Sequence, residues 1–131
     1  MQYKFLNQKY QLFNQLSQQL KPDHELLKLA KLLSWYQFES DFKSYLLDGQ
    51  NCSHLVVRLA TGLIILQHKF TISDEELAQK WIENPYWQVF CGYSLLQWEF
   101  PIALSSLTKW KQKIGPEGIE KVIKTYTQLI V

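Results

Sequence analysis

Apolar residues recur along this chain three and four positions apart, in one segment after another, and nowhere in sustained alternation with polar ones. That spacing builds helices with one buried face and leaves no material for a sheet. The chain is therefore expected to be all-α. The four prolines, Pro22, Pro85, Pro101 and Pro116, each fall where an apolar pattern stops or restarts, as residues that interrupt helices should. With 131 residues, 47% of them hydrophobic, there is enough material for one core and too little for two. Residues 1–131 are read as a single compact multi-helix domain, with no internal repeat.

The segments are legible individually. Phe5, Leu6, Phe13, Leu16 and Leu20 share a helical face among glutamines, which predicts a first amphipathic helix. A second is expected over 24–33, and Ser34 with Gln37 offers a capping box for a third. The stretch 48–51, Asp-Gly-Gln-Asn, is the most turn-like in the chain. Beyond it Leu55, Leu59, Gly62, Leu63 and Leu66 form a stripe widened by Val56, Ile64 and Ile65, the pattern of a central helix. Ser73 and Glu76 form a second capping box, for a helix ending near Asn84. Asn84 and Pro85 suit the start of a short aromatic helix that buries Trp87 and Phe90 and stops at Gly92. Ser105 or Ser106 is expected to cap a helix through Ile114, closed by Gly115-Pro116, with a last helix from Glu117 towards Ile130.

Catalytic chemistry finds no candidate. His24, His54 and His68 lack metalloprotease spacing, and Cys52 beside His54 supplies only two ligands. The cysteines, Cys52 and Cys91, form no C-x-x-C motif and read as reduced thiols. The acids Asp74, Glu75 and Glu76 are consecutive and so diverge around a helix, which suits capping better than a cation. There is no glycine-rich phosphate loop and no Gly-x-Ser-x-Gly elbow. The chain is expected to be no enzyme and to need no cofactor, metal or small-molecule substrate. The amino-terminal residues do not resemble a signal peptide, and the apolar run 55–66, broken by Arg58 and Thr61, is too short to span a bilayer. A cytoplasmic protein without a membrane partner is expected.

Net charge is only +2, so the distribution of charge matters more than its sum. Over 106–114, Leu107, Trp110 and Ile114 fall on one helical face, while Thr108, Lys109, Gln112 and Lys113 share the other. Lysine neutralises phosphates, and threonine and glutamine bond to phosphates or base edges. With Ser106 at the start, Lys111 at the flank and Lys121 and Lys124 beyond, these residues form a candidate DNA-binding surface. An ordinary solvated helix face has the same pattern. Trp81, Trp87 and Trp110 read as packing rather than as base-stacking platforms.

The stretches RLATGLIIL, SDEELAQKWIENPYWQVFCG, SSLTKWKQKIG and EGIEK, spanning 58–121, resemble the amino-terminal domain of insertion-sequence-5 family transposases of the DDE superfamily. Its most distinctive part is residues 81–92. The resemblance implies a helical domain, helix-turn-helix-like in its carboxy-terminal half, that recognises the terminal inverted repeats of double-stranded DNA. It also implies that catalysis belongs to a following ribonuclease-H-like domain, where three acids hold two divalent metals; this chain is expected to end before it. The resemblance further admits a homodimer, docking onto a full-length transposase, an inhibitory fragment or a remnant without function. Relatives tend to carry Gly-Arg-Pro where this chain has Asn51-Cys52-Ser53, arginines where Lys109 and Lys111 stand, and an Asp near Ala103. Lysine keeps the charge but lacks the fork that reads guanine.

Overall fold

A computed structural model describes residues 15–46 and 54–130 of the chain. The positions of Phe5, Leu6 and Phe13, the turn 48–51 and the Asn51-Cys52-Ser53 segment lie outside the described residues. A 3-10 turn, Leu16–Gln19, precedes six helices: α1 (Glu25–Leu32), α2 (Trp35–Leu46), α3 (His54–Phe70), α4 (Asp74–Glu83), α5 (Pro85–Phe90) and α6 (Leu104–Leu129). There is no strand among the described residues. The all-α architecture is as the spacing requires.

Helix boundaries follow local hydrogen bonding. His24 starts α1, its Nδ1 accepting from the Leu26 N–H at 3.0 Å. Ser34 Oγ accepts from the Gln37 N–H at 3.3 Å, but the Gln37 amide goes to Asp41 at 3.1 Å instead of returning to the cap, so only half of that expected box forms. The box at α4 is complete: Ser73 Oγ accepts from the Glu76 N–H, and Glu76 Oε1 accepts from the Ser73 N–H, both at 3.2 Å. At α5, Asn84 Oδ1 accepts from the N–H groups of Tyr86 and Trp87, with Pro85 in the first turn where it leaves no donor wanting. Gly92, at φ 100°, ends the run, a conformation that glycine adopts without steric cost.

Two boundaries differ from expectation. Leu16–Gln19 is a 3-10 turn, not the end of an α-helix running to Leu20. Its Leu16 is buried, and the Leu16 N–H bonds the Ser94 carbonyl at 2.9 Å, so a tertiary contact sets the local backbone. Helix α6 begins two residues earlier than expected, at Leu104, and its N-cap is Ala103, which provides no side-chain bond. Ser105 and Ser106 lie inside the first turn. Gly115, at φ 77°, breaks α6 into straight parts at 104–114 and 116–129, as the Gly-Pro pair predicts.

The core forms where α3 meets α2 and α6. Val57, Ala60, Leu63, Ile65 and Leu66 on α3 are all 0% exposed, whereas Leu55, at the start of the expected stripe, is exposed. Buried Thr61 satisfies its hydroxyl by donating to the Val57 carbonyl at 2.8 Å, as burial demands. Two glycines are spacers. A Cβ on Gly62 would meet Cys91 Sγ at 2.9 Å, and one on Gly118 would meet Ile114 Cγ2 at 2.6 Å and the Phe42 ring at 3.0 Å. Trp81, Trp87 and Phe90 are buried in the adjoining α4–α5 layer, with the rings of Tyr93 and Phe100 set edge-on to Trp81. Trp110 is half-buried against the core.

Candidate nucleic-acid interface

The first straight part of α6 sorts its side chains as its periodicity dictates. Leu107 and Ile114 are buried, Trp110 is half-buried, and Thr108, Lys109, Gln112 and Lys113 are all exposed. Ser106 is half-buried in the first turn. The Thr108 hydroxyl donates to the Leu104 carbonyl at 3.2 Å, which lays it along the helix and leaves its oxygen lone pairs outward. One face therefore carries two cations, a hydroxyl and an amide.

Lys111, Lys121 and Lys124 each meet a carboxylate. Lys111 Nζ donates to Asp74 Oδ1 at 2.8 Å and also to Gln67 Oε1, and Gln67 Nε2 in turn donates to Asp74 at 2.7 Å. This triangle joins α6 to α3 and α4. Burial by itself would raise the Asp74 carboxyl, but the bonds from Lys111 and Gln67 outweigh it and hold the group below the usual carboxylate range. Lys121 Nζ lies 2.8 Å from Asp41 Oδ2, tying 116–129 to α2. That contact is an ion pair rather than an aligned hydrogen bond, since the oxygen has no hydrogen-bond partner. Lys124 meets Glu120 one turn away at 3.9 Å with both side chains exposed, a pairing worth little in water. Beside the kink, Thr108, Lys111, Gln112, Pro116 and Ile119 line an open groove of about 600 Å³.

Two polar groups with large structural roles were not singled out from the sequence. Gln88 is fully buried; its Nε2 donates to the carbonyls of Trp81 and Gln97, and its Oε1 accepts from the Gln97 N–H at 2.7 Å. It fixes the connection 91–103 from inside. Arg58 crosses from α3 to the end of α5, where Nε donates to the Phe90 carbonyl at 3.1 Å and Nη2 to the Val89 carbonyl at 3.3 Å. Its guanidinium lies 4.4 Å from the centre of the Trp35 ring. A cation inside an otherwise apolar run was the signal available for Arg58; for Gln88 there was none beyond its place in an aromatic helix.

Burial raises the Cys91 thiol to about 12, with the Trp81 indole and Arg58 opposing only in part. A thiol so held is no nucleophile at neutral pH. Among the described residues, no group of three or more His, Cys, Asp or Glu side chains is placed to hold a metal ion. Cys52 and the His54 side chain lie outside the description. No single described helix is long and apolar enough to cross a membrane.

Residues 14–113 match the family described as a transposase domain, DUF772. The chain belongs to this family. The match takes in the core helices and the exposed face at 108–113, and leaves 116–129, with Lys121 and Lys124, outside it. A curated relative, the uncharacterized protein ORF8 in the nfe locus of Rhizobium meliloti, is 38% identical over 105 residues, which is 80% of this chain and 50% of the relative. The transposase domain thus spans about half the length of that protein. No solved structure matches it.

Proposed function

We propose that this transposase domain is the DNA-end-binding module of an insertion-sequence-5-type element, recognising terminal inverted repeats and leaving strand chemistry to a separate catalytic domain. The observation that carries the reading is the exposed Thr108, Lys109, Gln112 and Lys113 face on a helix anchored by buried Leu107 and Ile114, within the region that matches the family. A rigid, short helix with this outer chemistry suits a major groove. Helix 104–114 then acts as the reading helix of a helix-turn-helix variant with a long connection, 91–103, before it. Ser106 sits where the helix would approach a phosphate, and Lys111, Lys121 and Lys124 contribute only if they leave Asp74, Asp41 and Glu120.

Fluorescence anisotropy with an inverted-repeat duplex and a scrambled duplex tests this. Tighter binding to the repeat supports the reading; equal, steeply salt-dependent binding reduces it to phosphate attraction. Absence of binding at low salt refutes it.

A second reading has its own observation. Trp98 is 84% exposed and Leu96 51%, on a connection whose backbone Gln88 holds in place. A preorganised apolar patch of this kind is suited to a protein partner, either a second copy or an intact transposase. Light scattering that finds a strict monomer, together with no co-purification with full-length transposase, counts against it.

A further inference from the structure

Arg58 is the only arginine in the chain, and its surroundings differ from those of five of the lysines. Lys111, Lys121, Lys124, Lys21 and Lys69 each meet a carboxylate. Arg58 is set among apolar neighbours, and no carboxylate among the described residues pairs with it. Burial draws its pKa below the ordinary arginine value, with Cys91 opposing. The surrounding structure nonetheless makes room for it. A Cβ on Gly92 would come within 2.9 Å of Arg58 Cδ, so the glycine lets the side chain pass close to the end of α5. Trp35 covers the guanidinium, and its own indole N–H is fixed to the Ala30 carbonyl at 3.0 Å.

The two carbonyl bonds do not use all of the guanidinium's N–H groups. Arg58 also lines a cavity of about 360 Å³, together with Trp35, Lys31 and Ser17, and no acidic residue among the described residues lines it. Two cations and a hydroxyl, with no counter-charge among the described residues, describe the complement of an oxyanion, and the arginine fork suits the geometry of phosphate. We propose that this cavity binds a phosphate oxyanion, with Arg58 as its inner donor and Lys31 at its rim. Phosphate here meets a half-buried cation already oriented by Trp35 and the α5 carbonyls, so binding orders little that is not ordered already. The site does not depend on helix 104–114 being a DNA contact.

The test follows thermal unfolding and tryptophan fluorescence of the whole chain in inorganic phosphate, against chloride at equal ionic strength. Phosphate is expected to raise the unfolding temperature saturably and to perturb the fluorescence of Trp35. Lys31→Glu, an exposed change, should weaken phosphate binding at least tenfold while leaving unfolding in chloride unaltered. Arg58→Lys should weaken it too, since charge without the fork is retained. Identical behaviour of the wild type in phosphate and chloride overturns the proposal, as does a Lys31→Glu variant that binds phosphate normally. Duplex DNA separates the sources. If Lys31→Glu also lowers the log–log salt slope of duplex binding by about one, the oxyanion is a backbone phosphate; unaltered duplex binding with lost phosphate binding assigns the site to a free phosphate compound.

Discussion

Helices α3 and α6 pack against each other, yet they present opposite surfaces. From Val57 to Leu66 only Arg58 on α3 escapes burial, and it donates two hydrogen bonds to the end of α5. Helix α6 buries Leu107, Ile114, Val122 and Tyr126 along one narrow stripe and turns five lysines towards solvent or nearby acids. The contrast separates two jobs. α3 holds the domain together through contacts that tolerate little change, while α6 keeps an outer face that core packing does not constrain.

The comparison breaks if α6 proves as intolerant as α3. Leu63→Ala, at a position 0% exposed on α3, should cost about 3 kcal/mol in denaturant unfolding, whereas Thr108→Ala or Gln112→Ala should stay within about 0.5 kcal/mol. The exception on α6 is Gly118, where a methyl meets Ile114 and Phe42. Gly118→Ala should destabilise by about 2 kcal/mol, showing that α6 depends on its seat against α2. Ala103→Asp gives the uncapped start of α6 an acceptor and should stabilise by about 1 kcal/mol; no gain would mean that the Leu104 turn is satisfied in some other way. A small, pH-dependent effect is expected from the triangle of Lys111, Gln67 and Asp74. Because the Asp74 carboxyl is held below its ordinary range in the folded chain, its contribution is present above the unfolded pKa and is lost as pH falls through the folded one. Asp74→Asn should therefore be less stable than the wild type near neutral pH by under about 1 kcal/mol, and the gap should close on acidification below about pH 4.

Much of this was legible in the residues. Ser73 with Glu76, Asn84 with Pro85, and the Gly92 and Gly115 stops are local devices, complete within four residues of sequence, and the structure forms all of them. The 3-10 turn at Leu16 was not legible, because a hydrogen bond to Ser94 sets it from across the chain. Neither was the Ala103 start: Ser105 and Ser106 are good caps by type, but the helix begins before them, at Leu104, with no side-chain cap. The candidate surface divides in the same way. Periodicity alone placed Thr108, Lys109, Gln112 and Lys113 together, whereas the partners of Lys111 and Lys121, Asp74 and Asp41, come from other helices that only tertiary structure brings near.

The proposed reading has Lys109 and Lys113, on the outer face of 104–114, contacting DNA, and Lys121 and Lys124, beyond the kink at Gly115, contributing little. Its most direct test is the salt dependence of inverted-repeat binding for two double variants, Lys109→Ala with Lys113→Ala and Lys121→Ala with Lys124→Ala. The first pair should lower affinity and reduce the log–log salt slope by about two, and the second should leave the slope nearly unchanged. The opposite ranking, or equal slopes for both pairs and the wild type, contradicts the reading.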